Sequence, residues 1–291
     1  MQTLYELAHD IYEPLVRFWE SERTESTVCW LLVALFLGSL VGIELKRQGL
    51  LPQPMADFTP DHYFHAVSVA FTLVLIMEII GLVFVLPCSF SKSVGKQFEI
   101  LALILLRNSF KELVHLPVPL HLTGDWSPIL HIASDGGGAL AIFAMLGWYY
   151  QIKGGKAQQP MTKSPYARYA FVALKKMLAM VLLVIFVALG AKALWLELAG
   201  DPGFDFFDTF YTVLVFADIL LVLISQRFMP GFRAVFRNSG YALSTLFIRL
   251  ALAAPPYFGA LLGVGAAVFA VALTLVFNRF YAQQAATAEQ W

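Results

Sequence analysis

The sequence predicts an all-α, polytopic integral membrane protein with about eight transmembrane helices, and three observations carry that prediction. Of the 291 residues, 59% are hydrophobic and only 14% charged, against about 25% charged in ordinary soluble domains. Apolar segments long enough to cross a bilayer core, which takes ~20 mostly apolar residues as helix, recur along the whole chain. Lys and Arg concentrate on alternate connections, as the positive-inside rule requires.

Spans are expected near 26–45, 62–87, 97–116, 127–151, 174–197, 204–225, 239–254 and 256–281. The third and seventh are marginal, and dropping both leaves a six-span alternative. With the N-terminus inside, the inner segments hold Arg17, Arg23, Lys92, Lys96, Lys153, Lys156, Lys163, Arg168, Arg227, Arg233, Arg237 and Arg279. The outer connections hold Lys46, Arg47, Lys111 and Lys192. This asymmetry predicts a multi-pass plasma (inner) membrane protein with both termini cytoplasmic. Lys175 and Lys176 are expected to snorkel to the same inner side.

Ahead of the first span, Leu4, Leu7, Ile11, Leu15 and Phe18 recur at helical spacing between Glu6, Asp10, Glu13 and Arg17. This is an amphipathic interfacial helix over 1–24. Its acidic polar face suits protein packing as well as a membrane surface, and Pro14 predicts a kink. The remaining organisation is a first four-helix membrane unit at 25–152, a cytoplasmic linker at 153–169, a second unit at 170–282 and a cytoplasmic tail at 283–291.

The two units carry a possible internal repeat. At a shift of 140, Phe64, Thr72 and Glu78 fall on Phe204, Thr212 and Asp218. Two residues more in the next loop bring Phe90, Leu101 and Arg107 onto Phe232, Leu243 and Arg249. Four spans per copy make the copies parallel.

Four charges deep in apolar segments are the strongest functional signal, because one charge at the bilayer centre costs at least ~2.5–3.5 kcal/mol. Glu78 is expected to match Arg107 in depth, and Asp218 to match Arg249. Such pairs either lock helices together or line an ion path or gate. Asp135 joins them as a candidate: Ser134-Asp135-Gly136-Gly137-Gly138 offers either a helix break at a cation site or a close-packing face.

His62, His65, His115, His121 and His131 all fall on the outer side, with Asp205 and Asp208 at the same level. Histidines three apart, as His62 and His65 are, could chelate a metal ion or report outside pH. The simpler reading is that membrane-surface loops are ordinarily polar. No cofactor is expected, although the histidines leave a divalent metal or haem open.

There is no HExxH, CxxC pair, phosphate-binding loop or nucleophile elbow, so an enzyme is disfavoured. A formal net charge of +0 and the lack of a basic block exclude nucleic acid as a partner. The late first apolar tract is unlike a cleavable signal peptide. Cys29 and Cys88 read as small apolar residues. The expected function is therefore a channel or transporter for a cation or protons. Its expected partners are the lipid bilayer, an inorganic cation or proton, and a second copy or other membrane subunits. The alternative is a non-catalytic integral subunit of a larger membrane assembly.

Overall fold

The computed structural model describes residues 2–50, 52, 63–115, 126–154, 165–199 and 203–288. Among them the chain is helical throughout, in nine α-helices and one 3₁₀ turn. These are α1 (Gln2–Trp19), α2 (Glu22–Arg47), α3 (Phe64–Val85), α4 (Phe90–Lys111), α5 (Ser127–Gly154), α6 (Pro165–Leu198), α7 (Phe206–Phe228), α8 (Phe232–Ala253) and α9 (Phe258–Ala288). The 3₁₀ turn, Glu112–His115, follows α4.

Among the described residues five helices are long and apolar enough to cross a membrane: α2 and α7, with α5 over Ser127–Lys153, α6 over Tyr169–Leu198 and α9 over Phe258–Arg279. The chain is thus a helical, multi-pass membrane protein. α3 contributes a shorter apolar stretch, Val69–Val85.

Both marginal segments begin earlier than hydropathy predicts. α4 starts at Phe90 because Ser89 caps it, its hydroxyl accepting from the Lys92 N–H. α8 starts at Phe232 behind Gly231. Hydropathy misses these first turns because they are polar yet buried: Ser91, Ser93 and Gln97 in α4, and Asn238 in α8, are all enclosed.

Their position explains that composition. α4 and α8 pack against each other at the centre; α3 and α5 flank α4, and α7 and α9 flank α8. The faces that these two helices turn to one another and to their neighbours need no continuous apolar surface, while Leu103, Leu106, Phe236 and Leu250 keep an outer face apolar. Two apolar cores result. One joins α3, α6 and α7 with Tyr12 of α1, Ile100 and Ile104. The other joins α4, α5, α8 and α9 around Phe98, Leu101, Tyr241 and Ile248.

α1 docks on the bundle. Glu13 pairs with Lys176 at 2.6 Å, the Tyr12 hydroxyl donates to the Phe84 carbonyl, and Trp19 packs on Phe84. Burial pushes the Tyr12 phenol well above its usual titration range. The helix runs through Pro14. α2 is held mainly by α3, with Ile43 its one buried residue and Trp30, Leu31 and Val41 exposed.

The glycine run does not break α5. Gly136, Gly137 and Gly138 lie within a continuous helix. A Cβ on Gly138 would sit 2.7 Å from the Ala260 Cβ, and one on Gly263 2.9 Å from Ile142 Cδ1. These glycines let α5 and α9 approach closely, so the packing-face alternative describes them. Cys29 and Cys88 are free thiols.

Candidate functional site: a buried polar seam

The ends of the helices set the depths of the charges. The 86–89 turn, the start of α6 and the 229–231 turn share one end of the bundle, here called the basic end. At ~1.5 Å rise per residue, Glu78 lies about 10 Å from that end and Arg107 about 25 Å. That gap of about 15 Å is too wide for an arginine to span, and Glu78 and Arg107 form no pair. Lys96, about 9 Å in, takes Glu78 at 3.3 Å and also Glu99 at 3.2 Å.

Asp218 lies about 15 Å in and Arg249 about 25 Å, a mismatch that the arginine stem bridges by reaching back. Arg249 Nη2 stops 3.7 Å from Asp218 Oδ2. This is within ion-pair reach but too long for a hydrogen bond. Both residues are buried. Thr245, one turn before Arg249, stands beside Asp218, and Tyr211 lies in the field of both Arg249 and Arg107.

A cavity of about 10 Å³ abuts Asp218, lined among others by Gln97, Ser93, Thr245 and Lys175. That is close to the space one water needs. Lys175 does not snorkel: it is 3% exposed, donates to the Cys88 carbonyl at 2.7 Å, and lies 4.8 and 4.6 Å from the Phe90 and Phe171 ring centres. From the basic end, Lys175, Ser93 and Gln97, then Asp218 and Thr245, then Arg249, Tyr211 and Arg107 make a polar seam between α4, α6, α7 and α8.

The seam differs from the other buried polar contacts. Asn238 donates to Ser225 at 3.2 Å, Tyr149 to the Ser91 carbonyl at 2.8 Å, and Ser244 to the Ala266 carbonyl at 3.2 Å. By contrast Gln97 Nε2 and Oε1, Arg107 Nε, Asp218 Oδ2, and Arg249 Nε and Nη2 are buried without a hydrogen-bond partner. Asp218 Oδ2 and Arg249 Nη2 face each other across the ion pair; each of the remaining atoms costs about 1–3 kcal/mol.

No known protein family, curated protein or solved structure matches the chain. The seam is accordingly read from its own chemistry.

Asp135 stands apart from the seam, in a second cluster toward the far end. It is buried on α5 one turn after His131, with Glu112 and His131 as its charged neighbours. His131 Nδ1 meets Glu112 Oε2 at 3.3 Å. The His131 ring packs edge-on against Tyr257, at 4.9 Å between centres, and Tyr257 holds a φ of 70°. For a residue with a side chain, that left-handed backbone costs about 1–3 kcal/mol.

Among the described residues no group of three His, Cys, Asp or Glu side chains could hold a metal ion. His62 and His121 lie outside the described residues, as do the side chains of His65 and His115. Asp205 and Asp208 sit at the N-terminal end of α7, where negative charge complements the helix dipole.

Sequence reasoning missed Lys96, Gln97, Lys175 and Tyr211. A signal was available for the first two: the Ser89 cap lengthens α4, and counting depth from it brings Lys96 level with Glu78. Nothing in the sequence marks Lys175 and Lys176 as buried instead of snorkelling, yet both are enclosed, Lys176 against Glu13.

Proposed function

We propose that the chain is a membrane channel or transporter whose cargo is a proton, or more broadly a small cation, and that Asp218 is the central carrier or gate. One observation carries this reading: six buried polar atoms without a hydrogen bond fall on Gln97, Arg107, Asp218 and Arg249 of a single seam, two of them facing each other across the Asp218–Arg249 ion pair. A structural ion pair in a low-dielectric interior is favourable only when its geometry is good and its remaining donors and acceptors are met. Here the pair is stretched and Gln97 and Arg107 beside it are unmet, while Asn238, Tyr149 and Ser244 elsewhere in the interior are hydrogen-bonded. Of these groups the Asp218 carboxylate can take a proton, and the Gln97 amide and the arginine N–H groups can bind water.

The narrowness of the seam favours protons over hydrated metal ions. Hopping between Asp218, Tyr211 and single waters needs no open pore, and intramembrane acids serve such relays. Arg249 and Arg107 act as counter-charges that limit the seam to one mobile proton at a time. Asp135, with His131 and Glu112, is the collecting group at the far end.

In this reading α2 to α9 all cross the bilayer, with α4 and α8 as an inner polar layer shielded by apolar neighbours. The duplicated four-helix unit gains support from α4 and α8, each 22 residues long, each starting on Phe and each carrying its arginine 17 residues on, as Arg107 and Arg249. The basic end faces the cytoplasm, together with both termini. A second reading, an integral subunit of a larger assembly, is favoured by α2, whose exposed apolar surface could meet another subunit as well as lipid.

The test is proton flux into proteoliposomes under an imposed pH gradient. The wild type is expected to acidify the lumen, and Asp218→Asn to reduce the rate to that of empty vesicles. Flux unchanged in a folded Asp218→Asn protein removes Asp218 from the path.

A further inference from the structure

A second charged network lies outside the seam, on the lateral face where α3, α4 and α5 meet. Lys96 bridges Glu78 at 3.3 Å and Glu99 at 3.2 Å, and the Tyr150 hydroxyl donates to Glu99 at 2.9 Å. These side chains are not enclosed: Lys96 is 31%, Glu78 25% and Glu99 37% exposed. Lys96 and Glu99 also close one end of a groove of about 400 Å³ between α4 and α5, whose other walls are apolar, including Leu103, Leu106, Leu140 and Phe143. That volume is in the range of ligand sites.

We infer that this groove binds a membrane phospholipid with a primary-amine headgroup, from the leaflet at the basic end. Direction, charge and donor chemistry support this independently of the transport reading. The charged end of the groove lies about 9–13 Å from the start of α4, and its apolar walls lie farther from that end. A lipid of that leaflet has the same polarity, headgroup toward the basic end and chains toward the midplane.

Two carboxylates against one ammonium leave the network one negative charge in excess. Facing hydrocarbon, that charge is costly, and an amine that donates to Glu99 forms a charge-assisted hydrogen bond. Lys96 has three donors, two of them engaged by the two carboxylates, which leaves one for the phosphate of the same headgroup. A choline headgroup has no N–H to donate. A glycerol headgroup brings a net negative charge to a negative network.

The experiment is native mass spectrometry of the full chain in detergent, with phosphatidylethanolamine, phosphatidylcholine and phosphatidylglycerol of matched chains. Phosphatidylethanolamine is expected to remain bound at least about fivefold more than either other lipid. Glu99→Gln is expected to abolish that preference. Leu106→Trp, which fills the groove and spares the charges, is expected to lower retention of the preferred lipid. If Glu99→Gln does not fold, Tyr150→Phe, which frees one Glu99 oxygen, replaces it and is expected to alter the preference. Equal retention of the three lipids, a preference that survives both Glu99→Gln and Leu106→Trp, or a dimer that covers this face without lipid would each overturn the inference.

Discussion

Gln97 is the residue at which structural and functional accounts of the interior part most clearly. It is 1% exposed with both side-chain polar atoms unpartnered. Replacing it by Leu removes two unmet groups at similar volume. On packing grounds alone the change is neutral or stabilising by about 1 kcal/mol. The expected outcome for Gln97→Leu is therefore an unchanged or raised melting temperature in detergent together with proton flux lowered about tenfold or more. The Asp218–Arg249 pair was legible in the sequence because both charges sit in the middle of apolar runs. The absence of a Glu78–Arg107 pair was not, because the count of depth depended on where α4 begins. A serine cap about two turns earlier than the hydropathy boundary moves Arg107 out of reach and puts Lys96 in its place.

Helix contacts make predictions of their own. Gly138→Ala places a Cβ against Ala260 and is expected to destabilise by about 1–3 kcal/mol. Gly137→Ala meets no atom within 4 Å and is expected to be neutral or stabilising by up to about 1 kcal/mol through helix propensity. Thermal melts of the two single variants read that difference directly. At α1, Glu13→Gln weakens a partly exposed pair worth no more than about 1 kcal/mol. Tyr12→Phe removes a buried hydrogen bond worth about the same. The double variant is expected to speed hydrogen exchange in α1 and leave α9 unchanged. The helices themselves were largely legible, since apolar runs and caps are local. Whether α1 lies on lipid or on protein was not, because that depends on where Lys176 and Phe84 come to stand in the fold.

For the whole molecule, the two polar helices decide the topology. If α4 and α8 cross with the rest, single cysteines placed at Gly231 and at Pro255 label from opposite sides of the membrane. Labelling of both from one side would return α8 to an interfacial helix. The sequence displayed the acid-and-arginine pattern in both halves but not the central packing of α4 on α8, which arises from polar residues that look solvent-facing in a linear reading. It is this packing that gathers Gln97, Asp218, Thr245 and Arg249 into one seam. The most direct measurement of what the seam does is the rate of proton movement into proteoliposomes for the wild type, Asp218→Asn and Gln97→Leu at equal protein content. The account predicts flux in the wild type, none above empty vesicles for Asp218→Asn, and a strongly reduced rate for a fully folded Gln97→Leu. Wild-type protein no faster than empty vesicles, or three equal rates, would contradict it.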